Sequence, residues 1–357
     1  LEFTTSLRYD HYSDFGNATT AKAAFRWTPS RELLVRGSVG TGFHAPTVPQ
    51  VNAALQSYGV TSDNYICTPE LLQVATALGA QCQTGNRQYD QIAGGNKSLL
   101  PEKSRQASLG LRFEPNASVS LGADLWHVQI RDSFGQLTEQ EVFGNPLAYQ
   151  NSWGVQRDIG TGVDYLAFIA DNQNLGKSFA TGIDFDVVGR TRTSFADVTS
   201  GVKLTYMIRE QQQLQKDGPY FSAIGDNGAL GVVTFRWQGT WSTTFKTANF
   251  AHSFNVNFKS GYTDQETTVE VLDAAGNVTG TEDIRLPIKR FATLDWQSQW
   301  TPRKDLVLTV GMLNVFDTAP PFTLSTGGVN KGQQFGFDDR YYDPRGRTVY
   351  ANVSYKF

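Results

Sequence analysis

Sulfur and imidazole are scarce in this sequence, whose 357 residues hold two cysteines, two methionines and four histidines. The histidines, His11, His44, His127 and His252, are scattered without metal-ligand spacing, so neither a metal nor another cofactor is expected. No apolar run approaches the ~18 residues of a membrane-spanning helix, which excludes a helical membrane protein. A net charge of −3 gives no electrostatic reason to expect nucleic acid. Nucleophile elbows (G-x-S-x-G), H-E-x-x-H helices and phosphate-binding loops are all missing. No catalytic residue is therefore assigned, and an enzyme is not expected.

Aromatic residues and glycine are plentiful: 23 Phe, 14 Tyr, 7 Trp and 34 Gly. The apolar residues recur with a period of two. In the stretch 347–357, Val349, Ala351, Val353, Tyr355 and Phe357 alternate with Thr348, Tyr350, Asn352, Ser354 and Lys356, a strand with one apolar and one polar face. Similar stretches begin at Phe3, Ala23, Leu33, Ala107, Val119, Ile183, Val202, Val233, Phe254, Ala292 and Leu306, which makes twelve strands. At Trp126 the apolar phase switches to Trp126, Val128 and Ile130, which predicts a bulge.

Turns of a few residues, such as Thr28-Pro29-Ser30 and Ser13 to Gly16, punctuate the pattern. Along the chain, short turns alternate with loops of about 6 to 56 residues. The long loops cover roughly residues 43–98, 133–173, 211–227, 264–284 and 318–345, the first with a short helix over Glu70–Leu78. Segregated loop lengths are the pattern of an outer-membrane barrel: all-β, antiparallel, apolar toward lipid, with short periplasmic turns and long extracellular loops. A soluble sandwich has no reason to segregate its loops, and its strands are usually shorter.

In such a barrel the polar faces line the lumen. They carry Arg8, Arg26, Arg36, Arg112, Lys203, Arg209, Arg236, Asp124, Asp184, Asp186 and Asp295. Trp27, Trp126, Trp237, Trp241, Trp296 and Trp300 are read as lipid-facing or interfacial. Loop aromatics are the candidate ligand contacts: Tyr58, Tyr65, Tyr89, Phe143, Tyr149, Trp153, Tyr165, Tyr220, Phe221, Phe335, Phe337, Tyr341 and Tyr342. They can stack on a flat ligand, and they can equally pack loop against loop. Cys67 and Cys82 enclose ~16 residues, and an even pair in a short loop predicts a disulfide formed in an oxidising compartment. Its closure contributes about 3 kcal/mol of loop entropy.

Five segments together resemble TonB-dependent outer-membrane receptors. They are Val39-Gly40-Thr41-Gly42-Phe43-His44-Ala45-Pro46; Gly95-Asn96-Lys97-Ser98-Leu99-Leu100-Pro101-Glu102-Lys103-Ser104; Thr181-Gly182-Ile183-Asp184; Leu313-Asn314-Val315-Phe316-Asp317; and Asp343-Pro344-Arg345-Gly346-Arg347 with the terminal Phe357. His44 and Lys97 depart from the family's usual Arg and Pro. The resemblance implies a barrel of about 22 strands around an N-terminal plug, importing a scarce ligand such as a siderophore-like iron complex, haem or a carbohydrate. It further implies energy from the TonB-ExbB-ExbD complex through a TonB box, a lipid and lipopolysaccharide environment in the bacterial outer membrane, and assembly by the barrel machinery with Phe357 as signal.

Under that resemblance the lumen charges would contact the plug. Residues 1–357 contain neither plug nor box, and Leu1 reads as already inside a strand, so the expectation is the C-terminal portion of such a barrel. His44 could ligate haem iron, although an ordinary substitution explains it more simply. A passive channel, an adhesin-like barrel or an outer-membrane barrel hydrolase are the alternative readings.

Overall fold

Backbone groups facing lipid find no water, so each alternating stretch must pair sideways along its whole length. The computed structural model describes residues 1–13, 16–324 and 336–357. Its wall consists of β1 (Glu2–Tyr12), β2 (Gly16–Trp27), β3 (Leu33–His44), β4 (Glu102–Asn116), β5 (Val119–Arg131), β6 (Ser178–Arg192), β7 (Asp197–Gln213), β8 (Trp237–Lys246), β9 (Phe250–Lys259), β10 (Phe291–Arg303), β11 (Leu306–Leu313) and β12 (Thr348–Tyr355). The twelve form one antiparallel meander, each pairing with its neighbours in chain order. Among the described residues β1 pairs only with β2 and β12 only with β11, so both lateral edges are unpaired.

Residues 28–32, 117–118, 193–196, 247–249 and 304–305 connect strands at one end; 45–101, 132–177, 214–236, 260–290 and 314–347 connect them at the other. One hairpin departs from this segregation. β1 and β2 meet at the long-loop end through residues 13–15 alone, because both strands run beyond their apolar alternation. Asp14 and Phe15 of the turn expected there lie outside the described residues, as does Phe335.

Residues paired across a ladder share a face, so the register assigns the two sides of the wall. One row runs Arg26, Arg36, Gly110, Asp124, Asp184, Thr205, Gln238 and Lys259. Opposite it lies an apolar face whose large side chains stay open, among them Phe3, Leu7, Leu109, Leu111, Trp241 and Val353. Among the described residues no hydrophobic core covers that face, as expected for a wall whose apolar side meets lipid.

The register also corrects three expectations. Trp126 sits at no bulge: it pairs Ser108 in unbroken register and turns to the polar face, where Gly182 leaves room for its indole. The bulge lies instead where Gly182 pairs Met207 and Thr181 pairs Arg209, leaving Ile208 as the extra residue. That extra residue moves Arg209 from the expected lumen side to the outer face, in line with Thr181 and His127. Val233 and Phe235, expected in a strand with Trp237, precede β8 and are buried under a loop.

The hydrophobic cores lie at the long-loop end. Loops 45–101 and 132–177 share a four-stranded sheet ordered Gln56–Val60, Asp90–Ala93, Asp164–Ile169, Trp153–Arg157. The helix Pro69–Ala77, one residue from the expected span, is capped by Thr68 and buries Leu71, Val74 and Ala75 against this sheet's core. A second core joins Val233, Phe235, Tyr262, Ile288 and Tyr342 from the remaining three long loops.

Candidate functional site

The inner wall of β6 to β10 and the segment entering β12 enclose a cleft of about 780 Å³, lined by Asp184, Asp186, Lys203, Lys259, Asp295 and Tyr341 among others. Its charges come from alternation: each strand contributes every second residue, and neighbouring strands bring those residues side by side. Asp184 accepts from Thr205 Oγ1 at 2.7 Å. Asp295 accepts from Asn257 Nδ2 and from the Asn314 N–H, both at 2.8 Å. The ammonium of Lys259 donates to the Tyr341 carbonyl and lies 5.4 Å and 5.5 Å from the ring centres of Phe235 and Tyr342. Such a cleft offers both signs of charge and open hydrogen-bonding groups to a polar ligand or a protein segment.

Much of the predicted lumen charge is satisfied within the wall. Arg36 makes a two-pronged contact with Asp124 at 3.0 and 2.8 Å, spanning β4 at Gly110, where a Cβ would meet Asp124 Oδ1 at 1.9 Å. Arg112 contacts Glu114 at 2.8 Å and Asp186 at 3.6 Å. Arg8 pairs Asp10 at 2.7 Å, and Arg26 pairs Glu2 at 3.6 Å. Arg236 donates to the carbonyls of Met207 and Ile208, closing the bulge.

Most candidate ligand aromatics pack loop against loop instead of facing an opening. Tyr89 is 0% exposed, and Trp153 and Tyr342 are each 3% exposed, which removes them from direct ligand contact. Tyr65 stacks on Phe143 at 3.7 Å, and the Tyr149 hydroxyl donates to Gln215, tying the two loop groups together. Phe221 is half-buried beside the end of β7. Tyr58 and Tyr220 remain open at 72% and 41% exposure, and Tyr341 borders the cleft. No periodic signal in the sequence separates these classes, because irregular loops carry none.

Cys67 and Cys82 are disulfide-bonded, with Cα atoms 6.0 Å apart, as their spacing predicts. Replacing both by serine is expected to cost the loop about 3 kcal/mol while sparing the wall. Limited proteolysis should then cut between residues 61 and 90 and leave the strands intact.

Burial, reinforced by Glu139 and Asp63, pushes the Tyr65 phenol up to about 12. Burial and Asp338 hold Tyr342 at about 12. An ordinary tyrosine ionises near ~10, so their contribution to stability is complete below that pH and is lost as pH rises through about 12. Two phenolates appearing only near pH 12 in an absorbance titration would show this; ionisation of all tyrosines near pH ~10 would contradict it.

The family-like motifs anchor the loops to the wall. Glu102 accepts from the Phe134 N–H at 2.6 Å and bonds His44 Nδ1 at 2.9 Å. Asn96 donates to the Asn172 carbonyl at 2.9 Å, and Asn174 exchanges bonds with both backbone groups of Leu100 at 2.7 Å. Asp317 accepts from the Arg347 N–H at 2.8 Å beside Gly346, whose φ of +63° and close approach to Asp317 suit only glycine. A buried Asp264 accepts from Asn227 Nδ2 at 3.3 Å, the Leu324 N–H at 3.2 Å and the Thr323 hydroxyl, joining three loops.

Comparison with known proteins agrees with this architecture. Residues 1–315 match the family model described as TonB dependent receptor-like, beta-barrel. The siderophore receptor PirA from Acinetobacter baumannii is similar at 16% identity and TM-score 0.66, over 99% of this chain and 43% of that one. A mutant of the ferric enterobactin receptor PfeA from Pseudomonas aeruginosa aligns at 18% identity and TM-score 0.66, over 99% and 42%. The FrpB iron transporter from Neisseria meningitidis aligns at 14% identity and TM-score 0.53, over 96% and 40%. The chain thus spans about two fifths of the length of these solved proteins. No curated protein matches.

Proposed function

The chain belongs to the TonB-dependent receptor β-barrel family, and on that premise we propose that it forms part of the wall and the outer gate of a receptor importing a siderophore-type iron complex. In this reading the long loops face outside the bacterial outer membrane, and residues 1–357 are the C-terminal portion of the barrel. The two unpaired edges would continue into further strands, and the inner cleft would face a plug coupled to the TonB complex. The observation that carries it is one wall with two characters: an open apolar outer face and a polar concave inner face. Among the wall charges, Asp184, Asp186, Lys203 and Asp295 border the cleft, while Arg36 and Arg112 already have partners in the wall. Ligand contact then rests on Tyr58, Tyr220 and Tyr341.

Uptake of radio-iron on a catecholate siderophore by cells carrying the whole receptor tests the reading. Uptake should vanish without the receptor and without TonB. Uptake that persists without TonB, together with steady conductance in planar bilayers, would favour a passive channel instead. Phe357 follows β12, exposed, with its ring 5.0 Å from Tyr355, and in this reading it serves assembly of the barrel. Deleting it is expected to lower the outer-membrane level several-fold at unchanged synthesis, as membrane fractionation would show.

A further inference from the structure

Residues 266–284, within one long loop, hold Glu266, Glu270, Asp273, Glu282 and Asp283 and no Lys, Arg or His. They build a separate antiparallel hairpin, Thr267–Leu272 with Val278–Ile284, that pairs with no other strand among the described residues. Its tip is pre-formed. The Asp273 carboxylate accepts from the Ala275 and Asn277 N–H groups at 2.8 and 2.9 Å, and Gly276 takes a φ of +85° there. A two-stranded ribbon of this kind is marginally stable in water, because its outer peptide groups have no ladder partner.

The register gives the ribbon two unlike faces. Thr267, Val269 and Ile284 turn to the half-buried side. On the other side Thr268 lies opposite Asp283, Glu270 opposite Thr281 and Leu272 opposite Val278, and all six are exposed. Leu272 and Val278 are each 56% exposed, so the apolar end of this ladder is open.

The two edges also differ. On Val278–Ile284 an extra residue, Thr279, interrupts the register, and its hydroxyl donates to the Val271 carbonyl at 3.0 Å. A bulge of this kind protects an edge against further pairing. Thr267–Leu272 has no extra residue, and its Thr, Val and Leu side chains suit a pleated strand. Along its open side the chain reads Glu266, Thr268, Glu270, Leu272: acid, hydroxyl, acid and leucine at a period of two. The cations flanking the hairpin are engaged elsewhere, Arg285 with Asp226 and Lys259 with the Tyr341 carbonyl. The hairpin has no counterion of its own.

We infer that Thr267–Leu272 takes a third strand from a partner protein, an extended segment with Lys or Arg at alternate positions and an aliphatic residue beside Leu272. Backbone pairing completes the ladder, and the cations meet Glu266 and Glu270 on the open face. Charge selects this occupant. A second copy sets carboxylates against carboxylates, and nucleic acid or an anionic membrane surface is repelled in the same way. The inference uses the orientation proposed above only to place the partner outside the cell, and no residue of the hairpin lines the inner cleft.

The test mixes the whole receptor, purified in detergent, with a fluorescent synthetic peptide whose lysines alternate with valine and threonine. Its anisotropy should rise on binding, and amide exchange at residues 267–272 should slow. E266Q/E270Q should weaken binding on the order of tenfold, as for two partly solvated ion pairs, whereas E32Q at the short-turn end should leave it unchanged. The same peptide N-methylated at alternate amides keeps every charge but cannot pair, and should lose at least about tenfold in affinity. Undiminished binding of the methylated peptide, or equal binding to E266Q/E270Q, would overturn the inference, as would equal affinity for a peptide carrying glutamate in place of lysine. Receptor dimers that excess peptide dissociates would assign the edge to a second copy and overturn it as well. Peptide binding by a receptor that imports nothing would remove the import reading and leave this one standing; uptake without peptide binding would do the reverse.

Discussion

Replacing Leu111 with arginine is expected to cost about 2–4 kcal/mol and to deplete the folded protein in membranes, because a charge in the middle of the lipid-facing belt loses its solvent. Leu111 is open on the outer face, between Leu109 and Phe113. One residue further along, Arg112 faces the opposite way and shares Asp186 and Glu114. Arg112→Gln is expected to cost no more than about 1 kcal/mol, since partly solvated ion pairs contribute little. Urea titration of both variants refolded into bilayers, beside the unaltered protein, measures the contrast. In a soluble sheet Leu111→Arg would be nearly neutral, as surface substitutions are, and that outcome would remove the membrane assignment.

Phe143→Ala should be as damaging, but to a different part of the molecule. The Phe143 ring stacks on Tyr65 and lies 4.8 Å from Trp153, 5.2 Å from Tyr89 and 6.2 Å from Phe168. It therefore joins the helix and sheet of one long loop to those of the next. Removing a buried phenyl group costs about 3–5 kcal/mol. The wall's ladders do not depend on it, so the loss should appear as local opening. Amide exchange over residues 90–93 and 164–169 should quicken by about two to four orders of magnitude on the basis of that ~3–5 kcal/mol, while β4 and β5 keep their protection. Unchanged exchange in the loops would show that Phe143 does not hold them together. If the loop assembly is the outer gate, ligand uptake should fall in parallel.

The two substitutions probe features of unequal legibility. Leu111 could be placed from sequence because one rule governs every strand: lipid on one side and water or protein on the other force a period of two. That rule gave the wall, its twelve strands, their pairing order and the ends at which most loops emerge. It failed where a strand gains a residue. The single extra residue at Ile208 reversed the side of Arg209, and with it the assignment of a lumen charge to the lipid face. Trp126 misled for the converse reason, since a large apolar residue can face inward wherever a glycine such as Gly182 leaves space.

The loop site was the least legible part. Cys67 and Cys82 announced their bond because only one pairing is possible, and the short helix was expected over Glu70–Leu78, one residue from where it lies. Which aromatics would be buried was another matter. Tyr89 and Trp153 look no different in sequence from Tyr58, yet the first two sit in a core and the third in the open. By itself the sequence determined an antiparallel wall with an apolar and a polar side, because that pattern is local and repeats on every strand. Only the tertiary structure decided which loops weld together, which charges satisfy one another and which cations are left facing lipid. Those outcomes depend on partners far apart along an irregular chain, and on register shifts of one residue that no alternation records.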